Sequence, residues 1–163
     1  MSGLLHLNLG CGDRILPGFV NVDKYNPKAD VEADVLDLPF ADNSAERVIL
    51  CHVIEHISYK RTIDLLEEIH RVLAPRGLLE IGYPEFEECV KAFLNNEKGE
   101  RWRWWIQTLY GSQDNPGQYH VAPIVIWHLK EQLSEVGFND FEYELHGSDA
   151  VLRCKKCEPL PWH

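Results

Sequence analysis

The sequence predicts an α/β protein: a mostly parallel β-sheet covered by helices on both faces, with an antiparallel hairpin at its end. Three observations predict it. Short apolar runs bounded by Gly, Pro, Asn and Asp alternate with stretches of helical periodicity. Two closing runs, 138–145 and 150–154, read as a hairpin. The 163 residues fit a single domain spanning 1–163, a size that buries roughly 70% of the unfolded chain's surface without staples.

The elements follow in order. Leu4–Leu9 reads as a first strand running into Gly10-Cys11-Gly12, and Phe19–Asp23 as a second that ends on an acid. Pro17 and Gly18 cut any helix between them to about one turn. Asp30–Ala33 is a short third strand, followed by the turn Leu36-Asp37-Leu38-Pro39-Phe40, and Arg47–Cys51 is a fourth. Ser58 is placed to cap a helix whose apolar positions are Tyr59, Ile63, Leu66, Ile69 and Leu73. Ala74-Pro75-Arg76-Gly77 ends it, and Leu78–Tyr83 is a fifth strand. Phe86, Cys89, Val90 and Phe93 mark one helical face. A further helix, with Pro123 in its first turn, groups Ile126, Leu129, Leu133 and Val136 before Gly137 stops it.

Composition narrows the function. With 45% apolar and 26% charged residues the chain is ordinary globular material. No apolar run approaches the ~20 residues of a membrane span, and the first ten residues lack the basic region and cleavage site of a secretory signal. A cytoplasmic protein without membrane partners is expected. The net charge of −10 repels phosphate backbones, so nucleic acid is not an expected partner. The densest basic stretch, Arg101-Trp102-Arg103 beside Trp104 and Trp105, reads as an aromatic-rich packed helix. Five cysteines, an odd number, fit reduced thiols. Cys154-Lys-Lys-Cys157 has the spacing of zinc ligands, yet no second pair follows, and His146 or His163 would join it only by chance geometry. No metal is expected.

In open α/β sheets ligands bind outside the carboxyl ends of the strands, where strand order reverses. Three features collect there. Gly10-Cys11-Gly12 after the first strand lets the backbone turn sharply and approach a ligand. The dinucleotide fingerprint wants a third small residue where Ile15 stands, and a helix cut to about one turn is a poor N-terminus for the pyrophosphate that would want it. Asp23 ends the second strand, thirteen residues after Gly10, rather than the ~20 usual in dinucleotide folds. A carboxylate there can accept both hydrogen bonds of a ribose diol. Asp34-Val35 offers an acid beside a free backbone N–H, a pair that suits the edge of an adenine, whereas Asp37 reads as a turn acid.

Five segments in this order carry a resemblance: Asn-Leu-Gly-Cys-Gly-Asp (8–13), Gly-Phe-Val-Asn-Val-Asp (18–23), Leu-Pro-Phe-Ala-Asp-Asn-Ser (38–44), His-Val-Ile-Glu-His (52–56) and Arg-Val-Leu-Ala-Pro-Arg-Gly (71–77). From Leu7 to Pro84 the chain resembles the class I S-adenosylmethionine (SAM)-dependent methyltransferases, specifically their compact, methyltransferase type 11-like members. The resemblance implies a three-layer Rossmann-like sandwich with a seven-stranded sheet whose seventh strand is antiparallel. It implies SAM as cofactor, with Gly10, Cys11 and Gly12 along its methionine part, Asp23 on the ribose hydroxyls, and Asp34 and Val35 on the adenine. Cys51 and His52 would lie near the methionine amine and the sulfonium. Asp13 stands where many relatives have a third glycine, and Arg76 where glycine is common.

His52-Val53-Ile54-Glu55-His56 also spells the inverted zinc-peptidase signature. That chemistry needs both histidines on one helical face and a third protein ligand. Here His52 follows a strand directly, and the glycine loop would go unexplained. In the methyltransferase reading His52 is a candidate to position the acceptor or take its proton, and Glu55 and His56 orient the segment. Downstream, the polar loop from Gly111 to His120 is expected to cover the acceptor pocket, with Gln113 and His120 as substrate-facing residues, His120 as a second candidate base, and Tyr83 directed to the same edge. The expected acceptor is a small molecule, first a hydroxyl of a sugar or polysaccharide precursor by analogy with compact relatives. The alternative is a module that binds SAM without catalysis.

Overall fold

The computed structural model describes residues 3–95, 102–114 and 116–158. Arg101 of the basic stretch and His163 lie outside them. Seven strands, β1 (Leu5–Leu9), β2 (Val20–Asp23), β3 (Val31–Glu32), β4 (Ala45–Cys51), β5 (Leu73–Pro84), β6 (Phe138–His146) and β7 (Asp149–Lys156), form one sheet in the order β3-β2-β1-β4-β5-β7-β6. β1 to β5 are mutually parallel, while β7 runs antiparallel to both β5 and β6. The α/β class and the closing hairpin are those the sequence predicts. Because the chain steps outward from β1 to β3 and then returns to the other side of β1, strand order reverses between β1 and β4. Their carboxyl ends open the crevice where such sheets bind ligands.

Among the described residues four helices accompany the sheet: α1 (Thr62–Val72), α2 (Phe86–Asn95), α3 (Trp102–Tyr110) and α4 (Ile126–Val136). α1 buries Leu65, Leu66, Ile69 and Val72, spaced at three and four residues, against Leu129 and Leu133 of α4. Both helices cover the sheet face that carries Leu7, Leu9, Val48, Leu50, Leu79 and Ile81, all without exposed surface. Each such side chain contributes about 1.5–3 kcal/mol of transfer free energy.

Several boundaries differ from expectation. Ser58 makes no side-chain cap; a 3₁₀ turn, Tyr59–Arg61, lies between it and α1. The Ala74-Pro75-Arg76-Gly77 segment is not a separate turn, because the chain passes from α1 straight into β5 and absorbs those residues as a register irregularity against β4. Pro123 precedes α4 by three residues rather than opening it. Gly137 does end it, at φ +107, its N–H reaching the carbonyls of Leu133 and Ser134.

The larger difference is on the second face. The connections β1–β2, β2–β3 and β3–β4 contain no helix, so the expected helical layer is missing there. Instead residues 13–19 pack as a loop held by two buried asparagines. Asn8 Nδ2 donates to the Arg14 carbonyl (2.8 Å) and to Asn21 Oδ1 (2.9 Å); Leu16 N–H donates to the same oxygen. The rest of that face carries an ion-pair ladder, Glu144–Arg153–Glu80–Arg47, at 2.7, 2.8 and 3.4 Å.

Candidate functional site

At the end of β1 the chain turns at Gly10, whose φ is +61 and where an added Cβ would stand 2.5 Å from Val53 Cγ2. Only glycine fits this approach. The loop is then fastened to β2. Cys11 N–H donates to the Val22 carbonyl (3.0 Å) and Gly12 N–H to Asp23 Oδ2 (2.8 Å). Asp23 Oδ1 accepts from the N–H groups of Tyr25 (2.7 Å) and Asn26 (2.9 Å), and the Asn26 amide donates to the Gly12 carbonyl. A carboxylate has about four acceptor positions, so Asp23 keeps about one, on Oδ2. The carboxylate that the sequence offers to a diol thus also builds its own loop. Cys11 is buried, and that burial raises its thiol pKa.

Asp34 lies next along the same edge. Its Oδ2 accepts from Lys24 Nζ (2.8 Å), the cation on the residue after Asp23, and its Oδ1 from Leu36 N–H (3.0 Å). Burial pushes the Asp34 pKa up, but these two bonds outweigh it and hold the carboxyl below its usual range. Val35 is buried in the turn. The following residues are buckled to α1: Leu38 N–H donates to Glu68 Oε1 (2.7 Å), and Arg71 donates to the carbonyls of Leu38 (3.0 Å) and Phe40 (2.8 Å).

The end of β4 brings the remaining candidates together. Arg14, from the loop after Gly12, reaches Cys51 Sγ at 3.2 Å; burial raises the Cys51 thiol and the guanidinium opposes it. His52 has φ +54, a left-handed conformation costly for a residue with a Cβ, of the kind stored at functional positions. Its side chain is 52% exposed, and its Nδ1 faces Glu55 Oε1 at 3.2 Å. That hydrogen bond raises the His52 pKa against the opposing effect of burial. His56 and His120 stand edge to face, ring centroids 4.8 Å apart. Burial lowers the His120 pKa, and the Glu55 charge works the other way.

The loop from Gly111 to His120 folds back on α3. Gly111 has φ +79, and a Cβ there would fall 1.8 Å from the Gln118 carbonyl oxygen. His120 N–H returns to the Tyr110 carbonyl (3.1 Å). Gln113 is exposed on this loop, and its side-chain amide reaches the Tyr110 carbonyl at 3.4 Å. Tyr83 is not at an open edge: it is fully buried, its hydroxyl has no partner among the described residues, and burial raises its pKa. Strand alternation sends its ring into the core with Ile81 and Leu79.

Residues 7–81 match the methyltransferase domain family. A SAM-dependent methyltransferase of Archaeoglobus fulgidus superposes with a TM-score of 0.64 at 15% identity, over 95% of this chain and 87% of that one. Another, from Thermotoga maritima, gives 0.66 at 15%, over 96% and 84%. This is the fold of the class I SAM-dependent methyltransferases. An uncharacterized protein of Methanocaldococcus jannaschii is 32% identical over 65 residues, 40% of this chain, and the match spans 28% of that relative's length.

Within the methyltransferase fold the observed geometry bears on the rival reading of 52–56. The two histidines of the zinc-peptidase signature do not share a helical face, since His52 precedes the single 3₁₀ turn Ile54–His56 and bonds Glu55 itself. Sequence reasoning missed four residues that shape the crevice: Asn8, Asn21, Arg14 and Arg71. Asn8 and Asn21 alternate with apolar neighbours at positions facing the second side of the sheet, which was the available signal. Arg71, three residues after Glu68, was a legible helical ion pair, but its carbonyl partners were not.

Proposed function

We propose that this chain transfers a methyl group from SAM to a hydroxyl of a small molecule, with a sugar or polysaccharide precursor as the first acceptor class. The observation that carries the reading is the joining of Gly12 N–H to Asp23 Oδ2 directly beside the Lys24–Asp34 pair. It supports the reading because a glycine turn, a strand-end carboxylate and the Asp34-Val35 turn then lie along one edge of the sheet. One free acceptor position on Asp23 Oδ2 and the buried Val35 fit an adenosine group. Asp23 would hold its ribose, Asp34 and Val35 its adenine, and Gly10, Cys11 and Gly12 would flank its methionine part, with Cys51 and His52 at the amine. SAM supplies a methyl carbon made electrophilic by its sulfonium.

The chain's own task is then positioning and proton transfer. Holding the acceptor in line can supply about 7–11 kcal/mol of barrier lowering. His52, with Glu55 on Nδ1, keeps Nε2 available as the candidate proton acceptor, a role worth about 10²–10⁴-fold. His120 and Gln113, on the folded-back loop, stand as candidate acceptor-side residues. Proton transfer to a histidine suits a hydroxyl acceptor better than an amine that is already nucleophilic. Small-molecule, soluble-phase chemistry also accords with the net charge of −10 and with the lack, among the described residues, of any helix long and apolar enough to cross a membrane.

Calorimetric titration with S-adenosylhomocysteine tests the cofactor, and methyl transfer to a panel of sugars and other small hydroxylated compounds tests the reaction. Saturable heat with turnover on a member of the panel is expected. No heat overturns the reading; heat without turnover on any acceptor replaces it with the non-catalytic SAM-binding module.

A further inference from the structure

One cluster joins Glu55 and His56 of the 52–56 segment to the distant His120 and leaves out His52, so it is not the histidine pair of the peptidase signature and lies apart from the cofactor edge. We propose that Glu55, His56 and His120 form a binding site for one divalent transition-metal ion of the zinc class. A ligand atom from each lies within 4.8 Å of the others. Metal–ligand bonds near 2.1 Å in a tetrahedral shell put ligand atoms about 3.4 Å apart, so modest side-chain rotation closes the set.

Two further observations point to a ligand. Glu55 is 1% exposed, yet its Oε2 has no hydrogen-bond partner among the described residues, an arrangement that is costly for a buried carboxylate oxygen left unsatisfied. Both imidazoles are also fixed from behind. His56 Nδ1 faces the Tyr119 carbonyl at 3.0 Å and His120 Nδ1 the Thr108 carbonyl at 2.9 Å. A ring nitrogen facing a carbonyl carries the hydrogen, so each Nε2 keeps its lone pair. Backbone carbonyls behind Nδ1 are the outer contacts that orient metal-binding histidines. The segments are locked together as well, since Val121 and Ala122 N–H donate to the Glu55 carbonyl at 2.8 and 3.2 Å.

Two imidazoles and one carboxylate from rigid segments leave a fourth position open. An oxygen ligand taken there is acidified, as bound water is when its pKa falls to about 7. With an ion bound, His120 is a ligand and His52 takes the proton. That last consequence rests on the methyl-transfer reading; the metal site does not.

Untagged full-length chain, stripped with a chelator and dialysed, is titrated with zinc by calorimetry, and S-adenosylhomocysteine binding is measured on the same sample. One zinc per chain is expected, weakened at least about tenfold in each of His56→Ala and His120→Ala, and unchanged in Cys157→Ser. No zinc uptake, or uptake that survives both histidine changes, overturns the site, and retained S-adenosylhomocysteine binding shows that only the metal proposal failed. Should a histidine variant not fold, the cobalt-loaded wild type decides. A visible spectrum without a thiolate charge-transfer band supports the site, and a thiolate band overturns it.

Discussion

The side-chain amide of Asn8 donates to the side-chain oxygen of Asn21 at 2.9 Å across the buried boundary of β1 and β2. Around this contact the loop 13–19 takes the place that a helix fills in a two-sided sheet. The same Asn21 receives Leu16 N–H and donates to Leu16, Phe19 and Asp30. Asn21→Leu keeps volume but strands the loop's N–H and carbonyl groups. Its expected cost is about 1–3 kcal/mol in denaturant unfolding, with weaker S-adenosylhomocysteine binding, because the loop that follows Gly12 is then no longer held. Unchanged stability and affinity would show the loop to be held by other contacts.

Asp23 has two duties, and two substitutions separate them. Asp23→Ala removes the acceptor for Gly12, Tyr25 and Asn26 N–H, so both stability and cofactor affinity should fall. Asp23→Asn can keep Oδ1 for Tyr25 and Asn26 while placing an NH₂ opposite Gly12. Affinity should then fall with little loss of Tm. Equal calorimetric affinity in a folded Asp23→Asn protein removes Asp23 from the cofactor site.

His52→Gln removes the proton acceptor and keeps a side chain able to bond Glu55. Turnover should fall by about 10²-fold or more, with S-adenosylhomocysteine affinity held. Turnover equal to wild type at saturating acceptor takes His52 out of the chemistry.

Glu85 is 2% exposed and serves two helices from one carboxylate. Oε2 accepts from Glu88 N–H at 2.9 Å in the first turn of α2, and Oε1 accepts from Ile126 N–H at 3.2 Å at the start of α4. Helices leave such N–H groups open, and each cap is worth about 0.5–2 kcal/mol. Glu85→Ala should therefore destabilise by about 2 kcal/mol in chemical unfolding, with Glu85→Gln intermediate. A loss within error of zero would mean that solvent replaces both caps.

His70 gives a pH dependence with a definite sign. Burial depresses its pKa, the Lys156 charge adds to this, and its ring packs edge-on to Phe138 at 5.3 Å. A depressed folded pKa means that the native state resists protonation. The stability it contributes is therefore complete above the unfolded histidine value of about 6.5 and is lost as pH falls through the folded value. Tm should decline below about pH 6.5, and His70→Gln should flatten that limb. An unaltered limb would assign the decline to other groups.

Much of the crevice was legible in the residues. Gly10, Gly12 and Asp23 follow each other at a spacing that only a short connection between parallel strands allows, and they do converge. Tyr83 was not legible: a tyrosine at a strand end looks the same in sequence whether alternation turns it to solvent or to the core. The folding back of Gly111–His120 also could not be read, because it depends on a carbonyl, that of Gln118, occupying the space where a Cβ would be.

The sequence by itself determined the α/β class and the succession of the main strands and helices along the chain, since these follow from periodicity and from local breakers such as Pro17, Gly18 and Gly137. The tertiary structure alone decided which distant groups share a pocket. Glu55 and His56 meet His120 only because the chain between them crosses β5, α2 and α3 before returning, and pairings across such separations are set by packing of the whole core, for which no local pattern of residues stands in.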